Sequence, residues 1–485
     1  MIYIYIYGGR YGNAMKRVRD EDGEVTCKDP KRSIEGATPV YVPFEWSAEQ
    51  RRAISSVVDG RNTFITGPGG VGKSALIPHV VHLARTTMGK RLVCTATTGV
   101  AAIQINGTTV HQFVGFGLAD KPIDVLLNGA CISQKTRNRW RQTDILLIDE
   151  ISMLSPEFFV KMDRIGRAMR RCLTKPFGGL QLILVGDFLQ LPPVRISPPA
   201  GMLRTGPIFK YIFQTPVWKS LDMNIVKLET AFRQTDHAFV TLLNNMRYGR
   251  LTLEDSEILQ TRVNAKIDVD VSIIPTVMYA RNQDVDAKNN DFLIQCTGPS
   301  HVYKSICMPS ADATMRSSTN GLRNTMWYEK SPPAPALLTL CVGAQVMLTV
   351  NMMELGLVNG SRGVVEEFEE DAPHIPIVRF ATGRVMPIER YTWTRKDEAG
   401  FVESSYKQIP LQLAWATTIH MAQGKTLDCG ELSIDDTMFE NGQAYVALSR
   451  HKSLAKLTLR VFKASSVHAD PVVVLFYENN CVYKV

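Results

Sequence analysis

The chain has 485 residues, 55 Lys and Arg against 47 Asp and Glu, and a net charge of +8. That length suggests about three structural units with ample core, and the mild basic excess favours a polyanionic partner without requiring one. None of the nine cysteines forms a C-x-x-C pair, which argues against zinc and for a reducing compartment, and no uninterrupted apolar run reaches the ~18 residues a spanning helix needs, so no membrane partner is expected.

The first seven residues alternate Ile and Tyr and lack the basic lead and small-residue cleavage site of a secretory signal; Met15 is an alternative start. Residues 15–38 are mixed in charge and read as a disordered tail, with Lys31-Arg32 admitting a nuclear address. The first patterned element is a short apolar strand over 62–66, and a helix-like run over 75–87 follows it. Between them stands Gly67-Pro68-Gly69-Gly70-Val71-Gly72-Lys73-Ser74, a phosphate-binding loop with strand before and helix after. Its glycines let successive backbone N–H groups turn inward around phosphate oxygens. Lys73 is placed for the β and γ phosphates of ATP, and the Ser74 hydroxyl for Mg²⁺. A glycine-rich turn before an ordinary helix is the bland alternative, and it leaves the flanking strand unexplained.

Residues 112–142 are loop-rich and end in Lys135, Arg137, Arg139, Trp140 and Arg141. They read either as a backbone-and-stacking surface for nucleic acid or as a core Trp140 under a solvated basic stretch. A buried-strand run over 144–148 ends in Asp149-Glu150. An acidic pair at a parallel strand's carboxyl end suits a phosphate loop: Asp149 for Mg²⁺, Glu150 to orient and deprotonate the attacking water. A helix over 156–171 carries the apolar stripe Phe158, Phe159, Met162, Ile165 and Met169. Its basic residues read as a solvated face, with nucleic-acid contact the alternative. A third strand over 182–185 leads into Gly186-Asp187-Phe188-Leu189-Gln190, which sets Gln190 near the γ-phosphate to sense ATP against ADP. Strands alternating with helices over 63–185 imply a parallel sheet covered on both faces.

A second half begins near Ile225, with a helix over 239–248 and a strand over 276–279 that ends in a polar turn. From about 300 to 407 the chain becomes Pro- and Gly-rich with short strands, two of them within 336–350. Asn359-Gly360 is a strong hairpin signal there. The α/β pattern resumes at Ile409-Pro410-Leu411, and 444–448 reads as a strand-like run ending at Ser449-Arg450.

These motifs, in this order and spacing, resemble the Pif-type DNA helicases of superfamily 1, group B, relatives of the RecD helicases. The resemblance runs from about Trp46 to about Lys463. Ser47-Ala48-Glu49-Gln50 resembles the adenine-reading motif, and 94–102 with 107–111 resembles the first DNA-contacting motif. Phe232-Arg233-Gln234, 415–426 and 444–450 match three motifs of the second motor half. The resemblance implies an α/β protein of two RecA-like P-loop NTPase domains, with a small wedge-bearing insertion and an SH3-like β-barrel insertion. The expected divisions are a tail over 1–40, a first motor domain over 41–222 with the wedge in 112–142, a second over 223–299 and 408–485, and the β insertion over 300–407. It implies Gln50 and Gly424 as nucleotide neighbours and Arg233 and Arg450 as arginines acting in trans on the γ-phosphate. Thr97, Thr98, Gly99 and His111 of the first lobe, and Thr418, His420 and Lys425 of the second, are the implied DNA contacts; His111 either stacks on a base or braces its loop. Family members commonly carry Lys-Ser where this chain has Met421-Ala422, so one phosphate contact is weakened or replaced. The implied function is an ATP-dependent 5′ to 3′ DNA helicase, a monomer using ATP and Mg²⁺ on single-stranded, forked or structured DNA. An RNA–DNA hybrid unwinder and a nucleotide-gated single-strand-binding ATPase are the alternatives. A reducing intracellular setting is expected, whether nuclear, mitochondrial or viral.

Overall fold

The computed structural model describes residues 46–115, 134–193, 209–234, 236–267, 273–309, 332–352, 355–371, 374–396 and 402–481, with Ile123 and Leu127. The chain divides into Met1–Ser47 and Ala48–Val485, and the fold below belongs to the second. The expected tail and the tip of the expected wedge segment lie outside the described residues.

The first lobe is an α/β layer. Its strands are β1 (Thr63–Thr66), β2 (Leu92–Ala96), β3 (Thr108–Thr109), β4 (Ile145–Asp149), β5 (Gln181–Gly186) and β6 (Asn224–Lys227). All pair in parallel, in the order β3-β2-β4-β5-β1-β6. β4 and β5 are buried at every residue, as a sheet covered on both faces requires. The covering helices are α1 (Ala48–Val58), α2 (Lys73–Thr86), α3 (Gly99–Gln104), α4 (Val110–Val114), α5 (Gln134–Gln142), α6 (Pro156–Met169) and α7 (Pro216–Ser220). Helix α6 starts where its sequence says it should: the Ser155 hydroxyl accepts from Phe158 N–H, and Pro156 fills the first turn. Its predicted stripe is buried in full, and Phe159 alone contributes about 1.5–3 kcal/mol by leaving water.

The open question over Trp140 is settled. Trp140 is fully buried, 4.8 Å from Phe113 between ring centroids, so the core reading holds. The basic side chains around it serve the backbone: Arg170 donates to the Trp140 and Thr143 carbonyls, and Arg141 to that of Met169.

The second lobe opens with α8 (His237–Arg247), α9 (Leu253–Gln260) and β7 (Thr276–Tyr279). The polar turn read after β7 forms as a bend at Ala280 and Arg281, and Asn282 then opens a helix, α10 (Asn282–Gln295). Asn289 from that helix holds both the N–H and the C=O of Ala416. The chain then enters the β insertion. Strand β8 (Ser300–Lys304) precedes β9 (Ile306–Pro309), and β10 (Leu337–Cys341) pairs back on β8. Next come β11 (Gln345–Leu348), β12 (Arg362–Phe368), β13 (Pro376–Phe380), β14 (Val385–Pro387), β15 (Tyr391–Lys396), β16 (Val402–Gln408) and β17 (Leu411–Leu413). Three antiparallel sheets, β10-β8, β15-β16-β9 and β14-β13-β12-β11-β17, share one apolar core. The Asn359-Gly360 turn forms, with Ser361 N–H bonded to Val358 O at 2.8 Å. The strands it was expected to join are linked by the longer excursion 349–361. The motor also resumes later than Ile409, because β17 still pairs with β11.

The second motor sheet is completed by β18 (Ala416–Thr418), β19 (Gly430–Ile434) and β20 (Leu457–Phe462), parallel in the order β18-β7-β19-β20. Around it lie α11 (Ile419–Ala422) and α12 (Gln443–Ser449). The strand-like run at 444–448 is therefore helical. Every residue of α12 is buried, so no polar face reveals the helical period. Finally α13 (Pro471–Cys481), placed by chain order with the second motor domain, packs Val473 and Tyr477 into the first lobe's core.

No helix among the described residues is long and apolar enough to cross a membrane. Cys94 and Cys172 are partly exposed; burial of its sulfur still pushes the Cys94 thiol up to about 12.

Candidate nucleotide and nucleic-acid site

Three adjacent strands, β4, β5 and β1, deliver their carboxyl ends to one place, where ligands of open parallel sheets bind. From β1 comes the phosphate loop. Lys73 opens α2, and its Nζ donates to the carbonyls of Gly67 and Pro68, both at 2.7 Å. Burial pushes its pKa down to about 8, against the opposing charges of Asp187 and Glu150. Gly70 has φ 88°, and a Cβ there would lie 2.6 Å from the Cβ of Arg233, so both conformation and space demand glycine. Gln50, buried on α1, sets its Nε2 2.9 Å from where a Gly72 Cβ would stand. The Ser74 side chain belongs to the same helix start.

From β4 comes the acidic pair. An Asp149 carboxylate oxygen accepts the Glu150 N–H at 2.8 Å. Burial, with the Glu150 charge adding to it, raises the Asp149 carboxyl to about 7. Glu150 has φ 52°, a left-handed conformation that costs a non-glycine residue about 1–3 kcal/mol and that gathers at functional sites. Among the described residues no three His, Cys, Asp or Glu side chains gather as a metal cage. A buried carboxylate beside a phosphate loop and a Ser hydroxyl is nonetheless the donor set Mg²⁺ uses when phosphates complete its shell.

From β5 comes Asp187. It is fully buried in a bidentate pair with Arg247 of α8, at 2.7 and 2.8 Å. Burial works to raise its carboxyl, but Arg247 outweighs it and holds Asp187 below the usual range. Tyr477 of α13 donates to the same carboxylate and meets Thr66 Oγ1 at 2.6 Å. Gln190 is buried on the turn that follows, and its N–H is bonded to Asp187 O.

The second lobe closes over the loop. A Cβ on Gly69 would lie 3.1 Å from Arg450 Nη2 and 3.6 Å from Arg233 Nη1. Arg233 donates to Ser449 O, and Arg450 to Val446 O and Ser449 Oγ. Neither has a carboxylate in ion-pair contact among the described residues. Burial, then the facing Arg450, pushes Arg233 down to about 9, and burial lowers Arg450 too. Two crowded guanidiniums with no carboxylate in contact among the described residues, set on a phosphate loop, form a site for a multiply charged anion.

The residues expected to face DNA occupy matching places in the two lobes. Thr98 follows β2 and caps α3 through Ala101 N–H; Thr418 ends β18 and caps α11 through Met421 N–H. Thr97 is tied to the acidic pair instead, its N–H on Asp149 O and its hydroxyl on Glu150 O. Gly99 is buried at the start of α3. One face of His111 is packed on Phe158, with ring centroids 4.2 Å apart. His420 is partly exposed, with its pKa lowered by burial. Lys425 is buried with no side-chain partner among the described residues, and burial alone brings its pKa down to about 8.

Several contacts of the site carry no signal in the sequence. Gln423 donates from Nε2 to Glu150 Oε2 at 2.9 Å across the cleft. Tyr445 accepts the Gly69 N–H at 2.9 Å. Arg247 and Tyr477 converge on Asp187 from 60 and 290 residues away. Their partners are set by tertiary folding; Gln423 and Tyr445 sit within the matched stretches 415–426 and 444–450, whereas Arg247 and Tyr477 sit within none. Gly424 lies closer to Glu150 and Gln104 than to the phosphate loop, since a Cβ there would stand 4.0 and 3.6 Å from their side-chain oxygens.

The chain is similar to known proteins. A family profile described as "PIF1-like helicase" matches residues 45–257, and one described as "DNA helicase Pif1, 2B domain" matches 329–368, inside the β insertion. The chain is 40% identical over 438 residues to the ATP-dependent DNA helicase PIF1 of Danio rerio, covering 89% of this chain and 63% of that protein. It is 37% identical over 463 residues to that of Xenopus laevis, covering 95% of this chain and 68% of that one. It thus spans about two thirds of these relatives' length. The crystal structure of a Bacteroides Pif1 helicase in complex with ADP-AlF3 and ssDNA superposes with a TM-score of 0.61 at 29% identity, covering 90% of this chain and 97% of that one. The chain belongs to the PIF1-like helicase family.

Proposed function

We propose that the chain is an ATP-dependent DNA helicase that moves 5′ to 3′ on single-stranded DNA and opens forked or structured duplex during DNA replication, recombination, repair or telomere maintenance. The observation that carries the reading is the convergence of Lys73, Glu150, Arg233 and Arg450 from two lobes on one phosphate loop. The Bacteroides relative bound to ADP-AlF3 and ssDNA supports both ligands.

ATP binds with its phosphates among the N–H groups of Gly67 to Ser74, its base beside Gln50. Its arrival releases Lys73 from its own carbonyls and Gly69 N–H from Tyr445. Ser74 and Asp149 would hold Mg²⁺, which neutralises charge on the β and γ phosphates when bound. Glu150 takes a proton from the attacking water; the water oxygen bonds to the γ-phosphorus as the bridge to the β-phosphate breaks, giving ADP and phosphate. Lys73, Arg233 and Arg450 stabilise the charge spread over the γ-oxygens, and Gln190 reports its presence. Thr97, a residue of the first DNA motif bonded to the acidic pair, links hydrolysis to grip. Thr98, Gly99 and His111 hold the strand from one lobe, and Thr418, His420 and Lys425 from the other, through sequence-blind phosphate contacts. Opening and closing of the cleft shifts one grip against the other.

The test is ATP hydrolysis by the full chain with single-stranded DNA, with RNA of the same sequence, and with neither. Strong stimulation by DNA is expected. Stimulation by RNA alone would overturn the DNA reading, and nucleotide-dependent DNA binding without turnover would make the chain a gated binding protein.

A further inference from the structure

Gln423 has two polar ends, and only one is occupied among the described residues. Its Nε2 donates to Glu150 Oε2 at 2.9 Å. A carboxylate only accepts, so this bond fixes which end of the carboxamide faces Glu150. The other end, Oε1, is buried with no hydrogen-bond partner among the described residues. An orphaned buried acceptor is destabilising unless something reaches it, so its position needs an explanation. Gly424, with φ 80°, follows directly, and a Cβ there would stand 4.0 Å from the second Glu150 oxygen, so the loop brings Gln423 to Glu150 at close range.

A free acceptor on Gln423 and a free oxygen on Glu150, joined by a hydrogen bond, suit a molecule with two O–H donors. We propose that Gln423 is a second catalytic residue, which with Glu150 holds the water that attacks the γ-phosphate. The inference rests on the helicase reading above, in which Glu150 is the base. One water hydrogen goes to Glu150 and is transferred as the O–P bond forms. The other is held by Gln423 Oε1, which turns the water's lone pair toward phosphorus. The Gln423 N–H bond meanwhile keeps the Glu150 carboxylate in one rotamer. Because Gln423 follows α11, whose cap Thr418 is a proposed DNA contact, strand binding in the second lobe positions the water held by the first. That places DNA stimulation of hydrolysis in one side chain.

The experiment compares wild type with Gln423→Met, which keeps side-chain length and removes both polar ends, and with Glu150→Gln and the double variant. Steady-state hydrolysis is measured at saturating single-stranded DNA, together with KM for ATP, affinity for a non-hydrolysable ATP analogue, and affinity for the DNA strand. Gln423→Met is expected to lower kcat about 10- to 100-fold, the share of a hydrogen bond to a reacting group, with KM and both affinities within about twofold. The double variant should be no slower than Glu150→Gln alone, because both residues act on one water. A Gln423→Met kcat within twofold of wild type, multiplicative losses in the double variant, or a loss of DNA affinity that matches the loss of kcat would each overturn the proposal. If Gln423→Met binds neither DNA nor analogue, Gln423→Asn decides by the same criteria, since it keeps the amide one methylene short. Wild-type turnover by Glu150→Gln would instead remove the base assignment, and with it the pairing of the two residues.

Discussion

Arg247→Ala should destabilise the protein far more than its place on a helix in the second lobe suggests. Arg247 and Asp187 are both fully shielded from solvent and share two hydrogen bonds of 2.7 and 2.8 Å. Truncation leaves Asp187 with Leu189 N–H at 3.1 Å and Tyr477 Oη at 3.2 Å, neither carrying compensating charge. It also removes the guanidinium that sits 5.0 Å from the Tyr477 ring centre and so loosens α13. Stranding one buried charge costs about 3–5 kcal/mol, or roughly two to almost four powers of ten in the unfolding equilibrium. Urea unfolding followed by tryptophan fluorescence measures this well, because Trp218 lies 6.0 Å from Phe476 beside Tyr477. The midpoint should fall with little change in slope. Adding Asp187→Leu to Arg247→Met should recover most of the loss, since a buried pair replaced whole is nearly neutral. The pH dependence has a definite sign. Asp187 is held below the usual carboxylate range, so its contribution is complete above the unfolded pKa of about 4 and is lost as pH falls through the lower native value. The gap between wild type and Arg247→Ala therefore narrows on acidification. A midpoint within about 0.5 kcal/mol of wild type at neutral pH, or single losses that simply add, would refute this account of the pair.

Lys73→Ala should abolish hydrolysis, and Glu150→Gln should keep analogue binding while slowing turnover by roughly 10²–10⁴, both read by steady-state ATPase. Arg233→Ala and Arg450→Ala should each cost on the order of 10³ in turnover and leave DNA binding without nucleotide nearly unchanged; equal loss of both would mark a structural role. Lys425, with its pKa near 8, should lose its charge as pH rises, so DNA affinity measured by fluorescence anisotropy should weaken above about pH 8 in wild type. That weakening should vanish in Lys425→Met.

The strands flanking the phosphate loop, the acidic pair and α6 were legible because each is a local pattern: an apolar run, a turn, a 3.6-residue stripe. Helix α12 was not, because it is buried all round and its short apolar run fits strand and helix equally. Trp140 was left open by sequence because local composition is the same whether a ring packs or projects; Phe113 decided it. The Asp187–Arg247–Tyr477 knot and the Gln423–Glu150 bond join residues that no local window contains. Even the register of the β insertion escaped, since an Asn-Gly turn marks a reversal without saying how far away the paired strands begin.

The most direct measurement is ATP-driven strand displacement by the full chain on two duplexes that differ only in tail, one 5′ and one 3′. Each base-pair step costs about 1.4 kcal/mol in stacking, so opening requires coupled hydrolysis, not binding alone. The duplex with a 5′ tail should open with ATP and stay closed with Glu150→Gln, and the duplex with only a 3′ tail should stay closed throughout. Efficient opening from the 3′ tail, or no opening from either, would contradict the account.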